Sequence, residues 1–182
     1  DGSSTDRTVA VARRLASELD LAIEVLDNPV RRTSSSLNAG LAAARGRIVV
    51  RLDARSRVRP EYVRICVDAL DERLQAGVVG GAQVARPERE TLVARGIGRA
   101  LRNRWFTGLS RYRRATISGP SDTVWMGTFR ADELRSLGGW DPRVALNEDF
   151  DLNRRYRDAG WVVWFEASLR SQYVPRATLR AL

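Results

Sequence analysis

Two neighbouring carboxylates, Glu148 and Asp149, lie where the sequence predicts the first turn of a helix. The residue before them, Asn147, is of a type that caps helices, because its side-chain oxygen can accept a bond from a free backbone N–H. Helical spacing puts Asp149 on one face with Leu152 and Tyr156, so an apolar row would anchor the helix below the carboxylate. The helix dipole alone also favours an acidic first turn, so a chemical role for the pair needs further support.

Two other carboxylates, Asp1 and Asp53, follow a strand or a presumed strand. In open α/β sheets, ligands bind in the crevice at the carboxyl ends of the strands. Asp53 comes after the β-branched run 48–52, and the helix that carries Asp149 comes after the strand-like run 124–129. We therefore expect Asp53 and Asp149 to open into one crevice, where the three acidic sites would surround a nucleotide and its reacting sugar. Aspartate is also a common turn residue, which leaves a structural role open for Asp1 and Asp53.

Strands are predicted to alternate with helices along the chain. This alternation is typical of an α/β domain, in which helices cover both faces of a mostly parallel central sheet. Pro60 suits the first turn of a helix, and Gly46 and Gly160 suit the ends of two others. The predicted helices are 9–19, 37–45, one from Pro60, 88–105 and one from Glu148 to Gly160; the predicted strands are 23–26, 48–52, 78–84, 124–129 and 161–165.

The composition limits the classes of function. The chain has 182 residues, and we expect 1–182 to form a single partial domain. Its 31 basic residues, all arginine, exceed 22 acidic ones for a formal net charge of +9, which suits anionic partners. There is no histidine to act as a base or metal ligand, and the single Cys66 cannot form an internal disulfide. Because the chain begins at Asp1, in what looks like a turn after a strand, we interpret it as a fragment of a longer protein.

Taken in order, these motifs resemble family 2 glycosyltransferases, which have the GT-A nucleotide-diphospho-sugar transferase fold. The resemblance covers nearly the whole chain and implies a sheet that is incomplete at its N-terminus. The matching segments are the turn Asp1-Gly-Ser-Ser-Thr-Asp-Arg-Thr8 after the second strand, Leu52-Asp-Ala-Arg55 at the DxD motif, Gly138-Gly-Trp-Asp141 on the acceptor side, and Asn147-Glu-Asp-Phe-Asp-Leu152 with Arg155 at the ED motif. Segments 122–130 and 173–176 are most similar to the succinoglycan-type exopolysaccharide branch.

The resemblance implies transfer of a sugar from a nucleotide donor to an acceptor hydroxyl, with inversion. Asp149 falls at the general-base position and would take the proton from that hydroxyl. Glu148 would orient Asp149 or contact the acceptor. Trp140 and Asp141 would lie on the acceptor side, and Asp1 would support the pocket for the nucleotide base.

On the donor side, the resemblance implies that Asp53 holds the donor's ribose or a metal ion on its diphosphate. The cation would be Mg²⁺ or Mn²⁺, but Arg55 replaces the second carboxylate of the DxD motif. We expect Arg55 to bond the donor diphosphate and the dependence on metal to be weaker than in relatives with an intact motif. In the alternative, Arg55 points into solvent, and Asp53 alone holds a cation whose other ligands are water and donor phosphate.

The implied partners are a nucleotide-sugar, expected to be a UDP-sugar, and a glycan or polyprenyl-phosphate-linked acceptor. The implied setting is exopolysaccharide or cell-envelope biosynthesis at the cytoplasmic face of the membrane. Two alternatives stay open. The arginine-rich segments 99–104 and 111–114, with interleaved aromatic residues, could bind nucleic acid, although the carboxylates at the strand ends would repel phosphate. Arg55 also leaves room for a non-catalytic relative.

Overall fold

The computed structural model describes residues 1–86 and 116–175, and the fold is given for these residues. The predicted helix 88–105 and the arginine-rich segments 99–104 and 111–114 lie outside them. The described helices are α1 Thr8–Glu18, α2 Thr33–Ala43, α3 Tyr62–Glu72, α4 Ala131–Ser136 and α5 Glu148–Asp158. The described strands are β1 Ile48–Val50, β2 Ser56–Arg57, β3 Ala76–Ala85, β4 Gly119–Pro120, β5 Trp125–Arg130 and β6 Val162–Tyr173.

The described strands form one mixed sheet in the order β1-β5-β3-β6-β2, with β4 paired to β6. The longest ladder, β3 with β6, is parallel. Four shorter ladders are antiparallel. The predicted α/β class is confirmed, but the sheet is not wholly parallel, because β5 runs antiparallel to both β1 and β3.

The direction of β5 changes which of its ends meets the end of β1. Val50, the last residue of β1, pairs with Thr128, so the residues that precede β5 lie beyond the carboxyl end of β1. The carboxyl end of β5 is therefore at the opposite edge, and the chain returns through α4 and a loop before it enters α5. An apolar run indicates a strand but not its direction, which the sequence alone could not supply.

Helices cover both faces of the sheet, as two adjacent residues of β3 show. Val78 packs in a buried cluster with Leu152 of α5. The next residue, Val79, packs on the opposite face with Cys66 and Leu70 of α3. This follows from the geometry of a strand, in which successive side chains point to opposite faces. The first cluster anchors α5, and it is the one that matters for the site.

Two predictions near the N-terminus are wrong. Residues 23–26 form no strand: the Asp1 amino group donates to the Leu26 carbonyl at 2.5 Å and the Asn28 backbone N–H to the Asp1 carbonyl at 2.7 Å, without a ladder. Helix α2 begins at Thr33, before the predicted cap Ser36. The Ser36 hydroxyl instead accepts a bond from Asn28 Nδ2 at 2.5 Å.

In the described part of the chain, every helix is too short or too polar to cross a bilayer.

Candidate active site

Helix α5 begins with the carboxylate pair, as the sequence predicts. Leu152 and Tyr156 are fully buried, which confirms the face expected to anchor the helix. Gly160 has φ +88°, which confirms its left-handed position after the helix. The capping prediction is wrong, because Asn147 has φ 61° and its side chain makes no capping bond. Its backbone carbonyl accepts from the Asp151 N–H at 3.1 Å instead.

The Asp149 carboxylate lies at the start of α5 with two side-chain donors on Oδ1. One is the Trp140 indole Nε1, at 3.2 Å, and the other is Arg51 Nη1. Burial raises the pKa of Asp149 to about 6, and the negative charges of Glu148 and Asp53 act in the same direction, while Arg51 and Trp140 oppose it. A carboxylate with a pKa near the working pH is suited to accept a proton in the reaction.

Arg51 links the two sides of the site. It follows β1, and its backbone N–H donates to the Gly127 carbonyl at 3.2 Å. Only 7% of its side chain is exposed. Its guanidinium pairs with all three nearby carboxylates: Nε with Asp53 Oδ1 at 2.7 Å, Nη2 with Glu148 Oε1 at 3.1 Å, and Nη1 with Asp149. A buried charge is stable only when it is paired, and here one cation serves three anions.

Trp140 is held in place by ring packing and by hydrogen bonds to its backbone. It is 1% exposed, and its ring meets Phe129 edge to face at 5.6 Å between centroids. The Asn38 side chain clamps its backbone: Nδ2 donates to the Trp140 carbonyl at 2.7 Å, and Oδ1 accepts from the Trp140 N–H at 2.9 Å. Gly139 allows this approach, because it has φ +66° and a Cβ there would lie 2.5 Å from Asn38 Oδ1.

A cavity of about 1030 Å³ opens in front of these carboxylates. Asp53 and Asp149 both line it, which confirms the expected convergence on one crevice. Glu148 and Arg55 also line it, as do Arg31 and Arg32 just before α2. The cavity therefore combines carboxylates with several guanidinium groups, a lining that can receive both a diphosphate and a neutral hydroxyl.

The other predicted site residues are placed differently. Trp140 and Asp141 are not among the described residues that line the cavity. Trp140 lies behind Asp149, whereas Asp141 is paired with Arg143 at 2.7 Å, and bonds from the Arg143 side chain and backbone lower the pKa of Asp141 to about 2. The Asp1 carboxylate accepts bonds from Ser4 at 2.6 and 2.9 Å. Asp1 lines a second cavity of about 390 Å³ and not the main one.

Arg55 lies on the rim of the main cavity. Its Cζ is 5.6 Å from the centre of the Tyr173 ring, a cation–π distance. Its backbone carbonyl accepts from the Val174 N–H at 2.9 Å. Tyr173 also lines the cavity, so among the described residues an aromatic ring is the side chain that contacts the Arg55 guanidinium there.

Comparisons with known proteins identify the family and the fold. The family model described as Glycosyl transferase family 2 matches residues 1–135, most of the chain. The chain belongs to glycosyltransferase family 2. It is 31% identical over 182 residues to the succinoglycan biosynthesis protein ExoA of Rhizobium meliloti (strain 1021), and the match covers 98% of the chain and 54% of ExoA. The chain thus spans about half the length of this curated relative.

Solved structures show the same GT-A fold. The mannosyltransferase PcManGT from Pyrobaculum calidifontis, in complex with GDP-Man and Mn²⁺, superposes with a TM-score of 0.70 at 23% identity, covering 100% of this chain and 48% of that one. The structure of GalNAc-T7 with UDP, GalNAc and Mn²⁺ gives a TM-score of 0.69 at 15% identity, covering 97% and 37%. At these identities the likeness establishes the fold alone.

Both of these solved structures contain Mn²⁺. In this chain, Arg55 can offer a cation no oxygen. Asp53 Oδ1 is 2.7 Å from Arg51 Nε, whereas Oδ2 is 3.5 Å from Arg51 Nη2 and retains room for a hard cation. In residues 1–86 and 116–175, no group of three or more His, Cys, Asp or Glu could hold a metal. The described residues therefore fit a cation that has a single protein carboxylate as ligand. They do not fit a cation that several protein carboxylates enclose.

Sequence reasoning missed Arg51 and Asn38. The signal for Arg51 was present, because a charge inside the apolar run Ile-Val-Val-Arg-Leu requires a partner if that run is buried. Nothing local indicated that the partners lie 97 and 98 residues away. Asn38 had no signal, because an asparagine inside a helix is usually exposed.

Proposed function

We propose that this chain is the catalytic part of an inverting glycosyltransferase that moves a sugar from a nucleotide-diphospho-sugar to an acceptor hydroxyl. One observation carries the proposal: Asp149, with a pKa of about 6, opens into the same cavity as Asp53 and Arg55. A proton acceptor and a candidate diphosphate site thus line one space that is large enough for a sugar between them.

In this mechanism Asp149 takes the proton of the acceptor hydroxyl as that oxygen attacks the anomeric carbon of the donor sugar. The bond between that carbon and the diphosphate oxygen breaks, and the nucleoside diphosphate leaves with the bonding electrons. Attack from the side opposite to the leaving group inverts the anomeric centre. Arg51 and Trp140 keep Asp149 aimed into the cavity. Glu148, which shares Arg51 with Asp149, contacts the acceptor or orients the base.

On the donor side, Asp53 binds the ribose or a cation on the diphosphate, and Arg55 bonds the diphosphate directly. A bound Mg²⁺ or Mn²⁺ would supply further positive charge to the leaving group, with Asp53 as its protein ligand. Asp1 supports the pocket for the nucleotide base from a greater distance, since Gly2 beside it lines the main cavity. Arginine is well suited to the diphosphate because its planar guanidinium forms bidentate bonds with phosphate oxygens.

We further propose a UDP-sugar donor and a glycan or polyprenyl-phosphate-linked acceptor, in exopolysaccharide or cell-envelope biosynthesis. The similarity to ExoA supports the exopolysaccharide setting, and UDP in the GalNAc-T7 structure supports the donor. The GDP-Man in PcManGT makes a GDP-sugar the first competitor to test. An acceptor of this kind places the reaction at the cytoplasmic face of the membrane, with residues 1–182 as a single partial catalytic domain.

Asp149→Asn in the full-length protein tests the proposal. The amide keeps the shape of the carboxylate but cannot accept the proton, and base catalysis typically contributes about 10²–10⁴-fold. We expect transfer from a panel of UDP- and GDP-sugars to fall by that factor, while calorimetric binding of UDP or GDP changes little. Asp158→Asn, at the exposed end of the same helix, is the matched control and should leave transfer unchanged. Near-normal turnover of Asp149→Asn would remove Asp149 from the base role and leave Glu148 as the candidate.

The same assay separates the two alternatives. A non-catalytic relative would bind UDP or GDP without releasing it from any sugar of the panel, in native protein and variants alike. A nucleic-acid-binding module would bind DNA with an affinity that falls steeply with salt and would not turn over nucleotide-sugars.

A further inference from the structure

The three carboxylates at the cavity come from different parts of the chain, and a single side chain joins them. Asp53 lies in the turn after β1, where its carbonyl accepts from the Ser56 N–H at 2.8 Å. Glu148 and Asp149 begin α5, nearly a hundred residues later. Arg51 directs a different nitrogen at each of the three: Nε at Asp53, Nη2 at Glu148 and Nη1 at Asp149.

We propose that Arg51 is a positioning residue for sugar transfer: its guanidinium fixes the distance between donor-side Asp53 and base-side Glu148 and Asp149. This inference rests on the proposed function, because it assigns Asp53 to the donor and Asp149 to the acceptor. Arg51 touches neither substrate in this role. It acts through the carboxylates that do.

The geometry of the guanidinium makes this role specific to arginine. Its planar fork offers donors in several fixed directions, whereas a lysine ammonium is a compact charge at one point. A lysine at position 51 could approach one or two of the carboxylates but could not hold all three at their present positions. Without any cation there, three partly buried carboxylates would repel one another, and the start of α5 would move away from the end of β1.

We expect the loss of Arg51 to lower kcat much more than it lowers the affinity for the donor nucleotide. The attacking hydroxyl and the anomeric carbon must be held at close range, and a misplacement of about 1 Å can cost about 10²-fold in rate. Arg51 sets the relative position of the two substrate sites, so losing it separates two sites that can each still bind. UDP affinity should change little, because Arg55, Arg31 and Arg32 remain at the cavity.

The experiment uses Arg51→Ala, Arg51→Lys and a control in the full-length protein. Arg47→Ala is the control, because Arg47 precedes the same strand and pairs with Asp71 at 2.8 Å, but on the exposed surface. The readouts are kcat and KM for UDP or GDP release from UDP- and GDP-sugars, calorimetric binding of UDP and GDP, and thermal unfolding. The kcat of Arg51→Ala is then measured again with added guanidinium ion, below the concentration that unfolds the protein.

We expect kcat to fall about 100-fold in Arg51→Ala and by a similar factor in Arg51→Lys, with UDP or GDP affinity within about tenfold of native and Arg47→Ala unchanged. Free guanidinium should restore part of kcat in Arg51→Ala and none in Asp149→Asn. A folded Arg51→Lys protein with native kcat overturns the proposal, and so does a folded Arg51→Ala protein with native kcat. If Arg51→Ala does not fold, the kcat of Arg51→Lys decides the question. Native turnover in Asp149→Asn would instead move the base role to Glu148. A native protein that releases UDP or GDP from no sugar of the panel would overturn the proposed function itself, which keeps the failures apart.

Discussion

The two sides of the cavity hold their carboxylates in different ways. On the base side, Asp149 lies in the first turn of an eleven-residue helix with a buried face and accepts a bond from the indole N–H of Trp140. On the donor side, Asp53 lies in a turn after a strand of three residues. Its side-chain partner among the described residues is Arg51, which it shares with the base side. The proposed base Asp149 is thus held by two side-chain donors. Asp53 Oδ2 has only a long contact of 3.5 Å with Arg51 Nη2 among the described residues, which leaves room for a bound donor or cation.

Arg155 strengthens the base side further. Its Nη1 and Nη2 donate to the carbonyls of Leu137 and Gly139 at 2.8 and 2.7 Å, and its Nε pairs with Asp151 at 2.9 Å. One turn of α5 thereby holds the loop that carries Trp140, and Trp140 in turn holds Asp149. Among the described residues, the Arg55 side chain has no comparable chain of contacts, and its guanidinium lies 5.6 Å from the centre of the Tyr173 ring. Folding therefore holds the proposed base Asp149 through more contacts than it holds Arg55, the proposed diphosphate ligand.

The largest effect that we expect is a dependence of kcat/KM on pH, which arises from the ionisation of Asp149 on the base side. Asp149 must be ionised to accept a proton, so kcat/KM should fall about tenfold for each pH unit below its pKa of about 6. Between pH 8 and pH 4 the loss should reach about 100-fold. A pH–rate profile measures it, and a flat profile down to pH 4 would contradict the assignment of the base.

The ionisation of Asp149 also changes the stability of the folded protein with pH. The pKa of Asp149 is about 6 in the folded chain and about 3.9 for an unfolded aspartate. The folded state therefore binds the proton more tightly, which stabilises it fully below about pH 4, and this contribution is lost as the pH rises through about 6. Asp149→Asn should thus be at least as stable as the native protein at pH 8, although it is inactive. Thermal unfolding at pH 4 and pH 8 checks this.

The sequence alone predicted the base side better than the donor side, for physical reasons. Helix α5, its buried face and the acidic first turn follow from periodicity and charge within eleven residues. Asp53 and its strand were also predictable, because a β-branched run followed by aspartate is a local pattern. The antiparallel direction of β5 and the partners of Arg51 depend on contacts between segments far apart in sequence. The strand predicted at 23–26 failed for a related reason, since a strand forms only where another strand pairs with it.

Trp140→Phe isolates the bond between Trp140 and Asp149. Phenylalanine retains a ring to pack near Phe129 but lacks the indole N–H, and a hydrogen bond to a charged group contributes about 1.5–3 kcal/mol. Because that bond lowers the pKa of Asp149, its loss should move the acid limb of the pH–rate profile to higher pH and cut transfer at neutral pH by about twofold to fifteenfold. Trp164→Phe is the control, since its indole donates to Glu166, away from the cavity, at 3.3 Å. An unchanged acid limb in Trp140→Phe would show that the indole only fills space.

Arg55 tests the donor side, where we expect the smallest effect. A DxD motif places two carboxylates around a hard cation that takes oxygen ligands, and Arg55 removes one of them and adds a positive charge. Both changes weaken metal binding, while the guanidinium can bond the diphosphate itself. The native protein should therefore still transfer sugar in chelator, at a rate reduced by about threefold to tenfold. A cation adds positive charge at the diphosphate, but Arg55 supplies such charge as well.

Arg55→Asp should recreate the second carboxylate and tighten the metal requirement. Activity in chelator should then be lost, and less Mn²⁺ or Mg²⁺ should be needed to restore it. Arg59→Asp carries the same change of charge on an exposed arginine paired with Glu61, so it separates a ligand effect from a general field effect. If the native enzyme is inactive in chelator and Arg55→Asp requires as much metal as before, Arg55 does not replace the cation. Asp53 alone would then hold the metal, with water and donor phosphate as the other ligands, and Asp53 Oδ2, with its long 3.5 Å contact to Arg51 Nη2, would be the feature that distinguishes the donor side from the base side.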